Sequence, residues 1–451
     1  MLNCKFYLFF IALLSSLQIF SEDLEVRLST RSQLPSLYLG PIQGDTSDWR
    51  YLEELRNVLQ FDLSTAGVCS LLEQLPDCNE ALTKTIQFAF WTKRHIPFLV
   101  TLQASNDSFQ ITVFQTEKGT FKKYPPFQLK DNLDLDRREI HKLADMIQRD
   151  LFHVKGIASL RLIYTRRTKN PGNGSSEWLS EIWMCDSDGA NARQILGGQP
   201  YCLTPAFFPK KQEDADFYFV SHDGGQSKIY KASLDHPTPK PMIDLRGNQL
   251  LPNLSKKGTL MAFISDVAGR PDLFIQQFDL RGQMLGKARQ LFSAPRATQA
   301  SPTFNPEGTQ VAFVSDKDGP PRIYILPVAS PKNTQKLNPK LITKRNRENT
   351  SPSWSPDGKK IAYSAKVDGV RQIWIYDIEK DEEMQLTTGA ENKESPSWAP
   401  NSLHLVYNTE SEESSELYQI NLEQKTPVLL TKGYGQKRFA SWEQASGTFS
   451  Q

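Results

Sequence analysis

The sequence predicts a mixed α and β protein, in which a small N-terminal α/β domain precedes an all-β six-bladed propeller. Three observations support this fold class: a Ser-Pro phrase that recurs along the chain, aromatic residues that recur with it, and a different pattern before the first repeat. The length of 451 residues fits two or three domains. A formal net charge of +2 argues against the large basic surface that nucleic-acid binding proteins usually carry.

The first 21 residues have the features of a secretory signal peptide. One positive charge, at Lys5, precedes an apolar stretch from Phe6 to Phe20, and the small residue Ser21 follows. Polar residues interrupt this stretch, whereas a membrane-spanning helix needs about 20 apolar residues. We therefore predict export, with cleavage near Ser21 and no membrane insertion afterwards. The predicted boundaries are 1–21 for the signal peptide, 22–155 for the α/β domain and 156–451 for the propeller.

The region before the repeats mixes short strand patterns with two amphipathic helices. Leu24 to Ser29 alternates with period two, as a short strand does. Trp49 to Phe61 has apolar residues at helical spacing after a cap at Ser47 or Asp48. Strands are predicted over Phe98–Leu102, Phe109–Gln115 and Thr120–Tyr124, and a second helix over Asp136–Phe152. These elements predict a small α/β domain.

A repeated phrase determines the architecture of the rest of the chain. SPTFNPEGTQVAFVSDKDG begins at Ser301, SPSWSPDGKKIAYSAKVDG at Ser351 and SPSWAPNSLHLVYNTESEE at Ser395, and weaker copies come earlier. The leading prolines are separated by 47, 50, 50 and 44 residues; they are Pro205, Pro252, Pro302, Pro352 and Pro396. This is the length of a four-stranded propeller blade.

Aromatic columns indicate the strands inside each repeat. The first column comprises Tyr164, Phe219, Phe263, Phe313, Tyr363 and Tyr407, and the second comprises Trp183, Tyr230, Phe274, Tyr324, Trp374 and Tyr418. Turn residues such as Asp318-Gly319 lie between the columns, so each repeat is predicted to contain a central hairpin. In the first repeat a longer loop is predicted around Lys169 to Gly174. A third column marks an earlier strand: Phe207, Leu254, Phe304, Trp354, Trp398 and Trp442.

The two ends of the repeat region complement each other. Tyr164 has no third-column residue upstream, and Trp442 has no hairpin downstream. If Phe439–Trp442 completes the sheet that begins at Leu160 to Arg166, the count becomes six full blades. Closure of the ring removes exposed sheet edges, so we predict a closed ring and not an open array of hairpins.

Motifs of catalysis or metal binding are not found in the sequence, and we predict no enzyme activity, no cofactor and no metal. The strand-to-helix motif G-x-S-x-G of serine hydrolases does not occur, and no pair of histidines has HExxH spacing. Asp186-Ser187-Asp188-Gly189 resembles the start of a calcium loop, but the bidentate Glu is missing, so a hairpin turn is predicted. A glycosidase with a carboxylate pair from different blades remains an open alternative.

Four cysteines follow the predicted cleavage site: Cys69, Cys78, Cys185 and Cys202. An even number in an exported protein is compatible with disulfides, and the nearest pairs in sequence are Cys69 with Cys78 and Cys185 with Cys202. Buried free thiols are an equal alternative.

These features together resemble the TolB family, soluble periplasmic components of the Tol-Pal envelope system. The resemblance covers the signal peptide, the strand around Glu25-Val26-Arg27, the helix that ends in Leu63-Ser64-Thr65-Ala66-Gly67, the six repeats and the closing strand. Leu254 and the ending Trp442-Glu443-Gln444 depart from the family pattern. The resemblance implies an adaptor that binds a Pal-like peptidoglycan-associated lipoprotein through the propeller and a TolA-like inner-membrane protein through its N-terminal segment. It further implies a role in outer-membrane integrity and in invagination during cell division.

The residues predicted to contact partners lie in two places. Links from the outer strand of one blade to the inner strand of the next meet at one rim of a propeller, where rigid sheets hold them. By resemblance, the rim contacts are Asn248, Thr298, Arg345, Arg347, Glu348, Asn349, Asn392 and Lys393. The N-terminal contacts are Leu24, Glu25, Val26, Arg27 and Leu28. The alternative function is an exported propeller that is a hydrolase or a carbohydrate- or peptide-binding protein.

Overall fold

A computed structural model describes residues 34–44, 48–73, 75–82, 86–105, 108–170, 177–197, 201–210, 215–223, 225–328, 338–411 and 414–444. The predicted signal peptide and the predicted contact segment Leu24–Leu28 lie outside these ranges. Among the helices in these ranges, none has the length and apolar character needed to span a membrane.

The N-terminal domain is a six-stranded mixed sheet with four helices. Its elements are β1 (Ser36–Gly44), α1 (Trp49–Thr65), β2 (Ser70–Leu72), α2 (Pro76–Leu82), α3 (Phe88–Lys93), β3 (Phe98–Ser105), β4 (Ser108–Gln115), β5 (Thr120–Lys123), β6 (Phe127–Gln128) and α4 (Leu133–Phe152). The strand order is β2-β1-β3-β4-β5, and β6 pairs with β4. β1 runs parallel to both neighbours, whereas β3, β4 and β5 form an antiparallel meander.

The sequence analysis missed the central strand β1. Its residues from Leu37 to Leu39 are all buried, so the period-two alternation of a half-exposed strand is absent. Pro41 normally argues against a central strand. The structure accommodates Pro41 because the register between β1 and β3 shifts between Leu39 and Ile42.

The two long helices agree with the predicted ones and extend them by a few residues. The Asp48 side chain accepts a hydrogen bond from the Tyr51 amide at 3.1 Å, which caps α1. Asn132 caps α4 by accepting from the Leu135 amide at 3.1 Å. Both helices bury apolar residues against the sheet in one core, which includes Leu55, Leu59, Leu63, Val100, Ile140 and Ile147.

Six four-stranded antiparallel sheets follow, and we number the blades in chain order. Blade 1 comprises β7 (Arg161–Lys169), β8 (Trp178–Asp186) and β9 (Arg193–Leu196), and blade 2 comprises β10 (Cys202–Phe207), β11 (Phe217–Asp223), β12 (Gln226–Ala232) and β13 (Lys240–Pro241). Blade 3 comprises β14 (Gln249–Leu254), β15 (Leu260–Ser265), β16 (Asp272–Gln277) and β17 (Arg289–Phe292), and blade 4 comprises β18 (Gln299–Phe304), β19 (Gln310–Ser315), β20 (Arg322–Pro327) and β21 (Lys340–Leu341).

Blades 5 and 6 complete the ring together with the last strand. Blade 5 comprises β22 (Asn349–Trp354), β23 (Lys360–Val367), β24 (Val370–Asp377) and β25 (Glu382–Gln385). Blade 6 comprises β26 (Asn392–Trp398), β27 (His404–Glu410), β28 (Leu417–Asn421) and β29 (Val428–Leu429). The last strand, β30 (Gln436–Trp442), is the innermost strand of blade 1, whose order is β30-β7-β8-β9.

The six-bladed fold and its closure are therefore confirmed. β30 pairs antiparallel with β7, with Trp442 opposite Leu162 and Arg438 opposite Thr165. Trp442 is fully buried, in a core shared with Leu160 and Leu162. The predicted domain boundary at 155/156 stays a prediction; the first strand of the propeller begins at Arg161.

The aromatic columns are direct cross-strand pairs in all six blades. Tyr164 lies opposite Trp183 in spite of the longer loop, and Tyr407 lies opposite Tyr418 with ring centroids 5.8 Å apart. The other four column pairs have the same register. Paired aromatic side chains stabilise antiparallel strands, which explains why the columns keep their spacing.

Every inner strand has the same irregularity. One non-glycine residue in each has a positive φ of 45–55°, and the pairing register shifts there. These residues are Thr204, Leu251, Ser301, Ser351, Ser395 and Phe439. Such a bulge bends the strand and redirects its side chains. The bends come just inside the rim at which the inner strands begin.

All four described cysteines are buried free thiols, so neither predicted disulfide pair is bridged. Burial raises the pKa of Cys69 and of Cys202 to about 12. These thiols remain protonated at neutral pH and act as small apolar core residues.

Candidate functional site

The ring has two rims, and the α/β domain covers part of one of them. We call the rim with the links between blades the upper rim; the turns between second and third strands also lie there. The opposite rim, the lower rim, holds the turns that follow the inner strands and the third strands. The end of α1 and the segment after α4 pack on the lower rim of blades 6 and 1.

Hydrogen bonds among the described residues connect the α/β domain to the propeller. The Thr65 carbonyl accepts from His404 Nε2 at 2.8 Å and from Asn421 Nδ2 at 3.1 Å. The Ser187 hydroxyl in blade 1 donates to the Ala158 carbonyl at 2.6 Å. Further bonds run from Asn401 to the Lys155 carbonyl, from Gln424 to the Cys69 carbonyl and from Arg137 to Asp188. The bonds to Thr65 satisfy a carbonyl at the end of α1, and all of these contacts leave the upper rim uncovered.

His404 is neutral in this interface. Its ring is 1% exposed, its Nε2 donates to Thr65, and its Nδ1 accepts from the Asn401 amide at 3.0 Å. Burial lowers the pKa of His404 to about 4, although the hydrogen bond to Thr65 opposes this change.

The first prediction concerns the effect of low pH on the stability that His404 contributes. Because its folded pKa lies below the unfolded value of about 6.5, His404 contributes stability that is present above pH 6.5 and is lost as pH falls toward 4. We expect a loss of about 2 kcal/mol between pH 7 and pH 5 from this group. Urea unfolding at both pH values measures it, with His404→Gln as the non-titrating comparison. An equal pH effect in both proteins would contradict the assignment.

The structure places the eight predicted rim residues at the upper rim, with different exposure. Thr298, Arg345 and Arg347 are exposed, and their side chains are open to a partner. Asn248 and Asn392 are half-buried, and their side chains bond to the backbone of other strands. Asn248 accepts from the Ser227 amide at 2.9 Å, and Asn392 accepts from the Arg371 amide at 2.8 Å.

Two of the eight are buried in this structure. Asn349 is 0% exposed and donates to the Asn346 carbonyl at 2.7 Å. Lys393 is 6% exposed, and its Nζ donates to the Glu391 carbonyl at 3.0 Å. Burial lowers the pKa of Lys393, with the charge of Glu391 opposing. Asn349 is the first residue of its inner strand and Lys393 is the second, and both side chains are buried, whereas link residues such as Arg347 are exposed.

A chain of charged side chains crosses the upper rim from blade 5 to blade 1. Arg371 contacts Glu394 at 3.1 Å and Glu348 at 3.6 Å. Arg438 contacts Glu410 at 2.8 Å, and the charges of both residues act on Glu394. Lys366 adds a contact with Glu348 at 3.6 Å. We call this set the rim charge network: Lys366, Glu348, Arg371, Glu394, Glu410 and Arg438.

The Glu394 carboxyl group lies near the centre of this network. Burial raises its pKa, and the nearby Glu410 charge raises it further, whereas Arg371 and Arg438 lower it.

At one position of the inner strands, charged residues are found in blades 6 and 1. The inner-strand residue two positions before each leading proline is Leu203, Leu250 and Ala300 in blades 2 to 4. The corresponding residue is Thr350, Glu394 and Arg438 in blades 5, 6 and 1. This contrast is visible in the aligned repeats, and it is the signal that could have identified Glu394 and Arg438 from the sequence.

Buried polar atoms without hydrogen-bond partners concentrate near the upper rim. Within the described part of the chain they include Asn349 Oδ1, Asn346 Nδ2, Asn408 Oδ1 and Arg438 Nε. Unsatisfied buried polar groups are rare in native proteins and require an explanation. These atoms lie in the link before β22 and at the upper-rim ends of β22, β27 and β30.

Blade 1 contributes a basic and aromatic patch that the sequence analysis missed. The Arg166 guanidinium lies 4.3 Å from the ring centroid of Trp183 and 5.9 Å from that of Tyr434. Tyr434 is 69% exposed, and the Arg167 guanidinium lies 4.1 Å from the ring of Trp178. Arg and aromatic residues are enriched at protein interfaces. The long loop of blade 1 obscured the repeat pattern in this region.

Comparison with known proteins agrees with the fold and the repeat assignment. The family described as the TolB beta propeller domain matches residues 149–446. A protein named TolB homolog from Protochlamydia amoebophila is 43% identical over 289 residues, which cover 62% of this chain and 61% of that protein. A TolB homolog from Chlamydia muridarum is 35% identical over 297 residues, covering 65% and 63%. The match thus spans about three fifths of the length of these relatives.

The solved structure of TolB from Acinetobacter baumannii has the same fold. It superimposes with a TM-score of 0.73 at 23% sequence identity, and the match covers 92% of this chain and 97% of that chain. At this identity the likeness supports the arrangement of an α/β domain and a six-bladed ring, and not shared contacts. The family match covers well over half of the sequence, including all six blades. The chain therefore belongs to the TolB beta propeller family.

Proposed function

We propose that this protein is the TolB-type adaptor of a Tol-Pal system, located in the periplasm and without catalytic activity. Its upper rim binds a Pal-like peptidoglycan-associated lipoprotein, and its N-terminal segment Leu24–Leu28 binds a TolA-like inner-membrane protein. These contacts support outer-membrane integrity and invagination during cell division. The observation that carries the proposal is the uncovered upper rim with its rim charge network, in a member of the TolB propeller family.

The composition of the upper rim suits recognition of a protein surface. Arg345 and Arg347 are exposed on the link into blade 5, and the rim charge network extends from there to blade 1. Such alternating charges give specificity and fast association more than affinity. The polar atoms without partners, such as Asn408 Oδ1, can accept or donate hydrogen bonds to a bound segment.

The N-terminal part of the proposal rests on the sequence. Leu24, Val26 and Leu28 alternate with Glu25 and Arg27, a pattern that suits addition of a strand to the edge of a partner's sheet. Removal of Glu22–Leu34 should abolish binding of a TolA-like C-terminal domain and change Pal-type binding by no more than a few-fold. Full TolA-type affinity in the truncated protein would contradict this part alone.

The second prediction tests the upper rim by charge reversal. Arg345→Glu combined with Arg347→Glu should weaken binding of a soluble Pal-like domain by about 100-fold, since like charges at an interface cost several kcal/mol. The melting temperature should change little, because both side chains are exposed. Isothermal titration calorimetry measures the affinity.

The matched control changes the same charge on the opposite rim. Lys256 and Lys257 are exposed in the turn after the inner strand of blade 3, at the lower rim. Lys256→Glu combined with Lys257→Glu should leave Pal-type affinity within about two-fold, since the exposed charges are screened over such distances. Equal affinity of the rim variant and the unmodified protein would remove the Arg345 link from the site.

A further inference from the structure

A buried cluster of charged side chains lies between the α/β domain and blade 1. It comprises Asp62 on α1, Arg137 and His141 on α4, and Asp186 and Asp188 where β8 ends. The side chains of Asp62, His141 and Asp188 are 1%, 2% and 8% exposed. The proposed adaptor function uses none of these residues.

His141 is held in one orientation with one nitrogen free. Its Nδ1 lies 2.8 Å from Asp62 Oδ2, and because a carboxylate can only accept, Nδ1 carries the hydrogen. The lone pair of a neutral ring is then on Nε2. Nε2 has no hydrogen-bond partner among the described residues and faces Asp188 Oδ2 at 3.9 Å. A carboxylate that orients the second nitrogen of a histidine is the usual arrangement behind a metal-binding imidazole.

The turn after β8 holds two carboxylates next to this nitrogen. Ligand atoms of His141, Asp186 and Asp188 lie within 4.8 Å of one another. The Ala190 amide donates to Asp188 Oδ1 at 3.0 Å, and Asn191 Nδ2 donates to Asp186 Oδ2 at 2.7 Å. These contacts fix the two carboxylates, and they leave oxygen lone pairs available because an ionised carboxylate has about four acceptor sites.

The charges of the cluster do not balance with a neutral histidine. Four carboxylates, those of Asp62, Asp145, Asp186 and Asp188, lie close to His141, and one guanidinium, that of Arg137, contacts Asp188. The cluster therefore buries an excess of negative charge, where uncompensated charge is costly. A divalent cation would neutralise more of this excess than a proton on His141 would.

We propose that His141 Nε2, Asp186 and Asp188 bind a divalent first-row transition metal ion, with Zn²⁺ as the best match. Imidazole and carboxylate ligands suit this class of ion, and three protein ligands leave a coordination position for water. Ligand atoms around tetrahedral Zn²⁺ are about 3.4 Å apart, so the three side chains must draw together from their present separations of up to 4.8 Å. Arg137 keeps its contact with Asp188 through a remaining lone pair.

A metal ion at this position would tie the α/β domain to the propeller. His141 belongs to α4, whereas Asp186 and Asp188 belong to blade 1, so the ion bridges two parts of the chain. Binding therefore stabilises the folded interface as well as occupying a site. This inference is independent of the partners proposed above.

The experiment uses the full mature chain after removal of metals with a chelator. Calorimetric titration with ZnCl₂ should show one ion per chain, and Zn²⁺ should raise the melting temperature. Asp186→Asn removes one ligand and keeps the His141 contact with Asp62, so it should bind Zn²⁺ at least tenfold more weakly. Asp368→Asn is the matched control, since it removes an exposed carboxylate of blade 5 and should bind as the unmodified protein does.

His141→Gln provides a second test with a different readout. Co²⁺ bound through an imidazole and two carboxylates has a visible absorption spectrum, which this variant should lose at equal protein concentration. If circular dichroism shows that this variant does not fold, the Asp186→Asn titration is the deciding test of the metal site. Absence of stoichiometric Zn²⁺ binding by the unmodified protein, or equal binding by Asp186→Asn and Asp368→Asn, would overturn the proposal.

Discussion

Truncation of the chain after Arg438 is expected to lower the melting temperature by about 10 °C or more, or to cause aggregation. The cut removes most of β30, including Trp442, which is 0% exposed in the core of blade 1. Loss of a buried tryptophan side chain costs about 3–5 kcal/mol, and each kcal/mol lowers the melting temperature by roughly 2–4 °C in a domain of this size.

The truncation also exposes the edge of β7. In the full chain β30 pairs with β7 between Gln436 and Trp442, so β7 is an interior strand of blade 1. An unpaired strand edge can pair with another molecule, which is why aggregation is an expected outcome. Arg161 would lose its contact with Glu443, at 2.6 Å, in the same cut.

A cut after Gln444 is the matched control. It keeps all of β30 and the Glu443 contact, so the melting curve should be that of the full chain. Differential scanning calorimetry of both truncations, with light scattering for aggregation, makes the comparison. A normal melting curve for the chain that ends at Arg438 would show that closure by β30 does not stabilise the ring.

The propeller could be predicted because the sequence pattern of a blade is local and recurs along the chain. Each blade is one unit of about 50 residues with a leading proline and two paired aromatics, and six copies reinforce one another. The register follows from the columns, since residues such as Phe263 and Phe274 must lie opposite one another to pack. Closure of the ring could be predicted because the last strand supplies the inner strand that the first repeat lacks.

The N-terminal domain lacked such repetition, so parts of it were missed. Interior strand β1 shows no alternation because both of its faces are covered: Leu37 and Leu39 pack in the core with α1 and α4, and Tyr38 packs with α2 and α3 on the other face. The helices α1 and α4 were predicted because one face of each is exposed, which produces helical spacing.

The position of the site could be predicted from the sequence, but only some of its residues could. The rim follows from topology, but whether a link residue faces solvent depends on the bulges in the inner strands. Asn349 and Lys393 are therefore buried, whereas Arg345 and Arg347 are exposed. The cluster around His141 could not be predicted, because its members come from three elements that only the domain interface brings together.

Trp398→Ala is expected to reduce the free energy of unfolding by about 3–5 kcal/mol, the second large effect. Trp398 ends the inner strand of blade 6 and is 4% exposed. It packs in a core that includes Ile373 and Ile375 of blade 5, so its removal leaves a cavity between two blades. Its Nε1 donates to the Ser353 carbonyl of blade 5 at 3.0 Å.

Comparison of Trp398→Phe with Trp398→Ala separates the contribution of packing from that of the hydrogen bond. Trp398→Phe keeps most of the apolar volume and loses the bond to Ser353, so it should cost less than alanine, by at least about 1 kcal/mol. Trp354→Ala should resemble Trp398→Ala, because Trp354 is 8% exposed at the matching position of blade 5. The surface comparison is Trp49→Ala, at a residue 48% exposed at the start of α1.

Urea unfolding at pH 7 measures all four variants under one condition. Trp49→Ala should stay within about 0.5 kcal/mol of the unmodified protein, as surface substitutions usually do. A cost below about 1 kcal/mol for Trp398→Ala would mean that the third aromatic column does not pack between blades. Because this column marks the inner strand in every repeat, that result would also remove the structural reason for its recurrence at blade spacing.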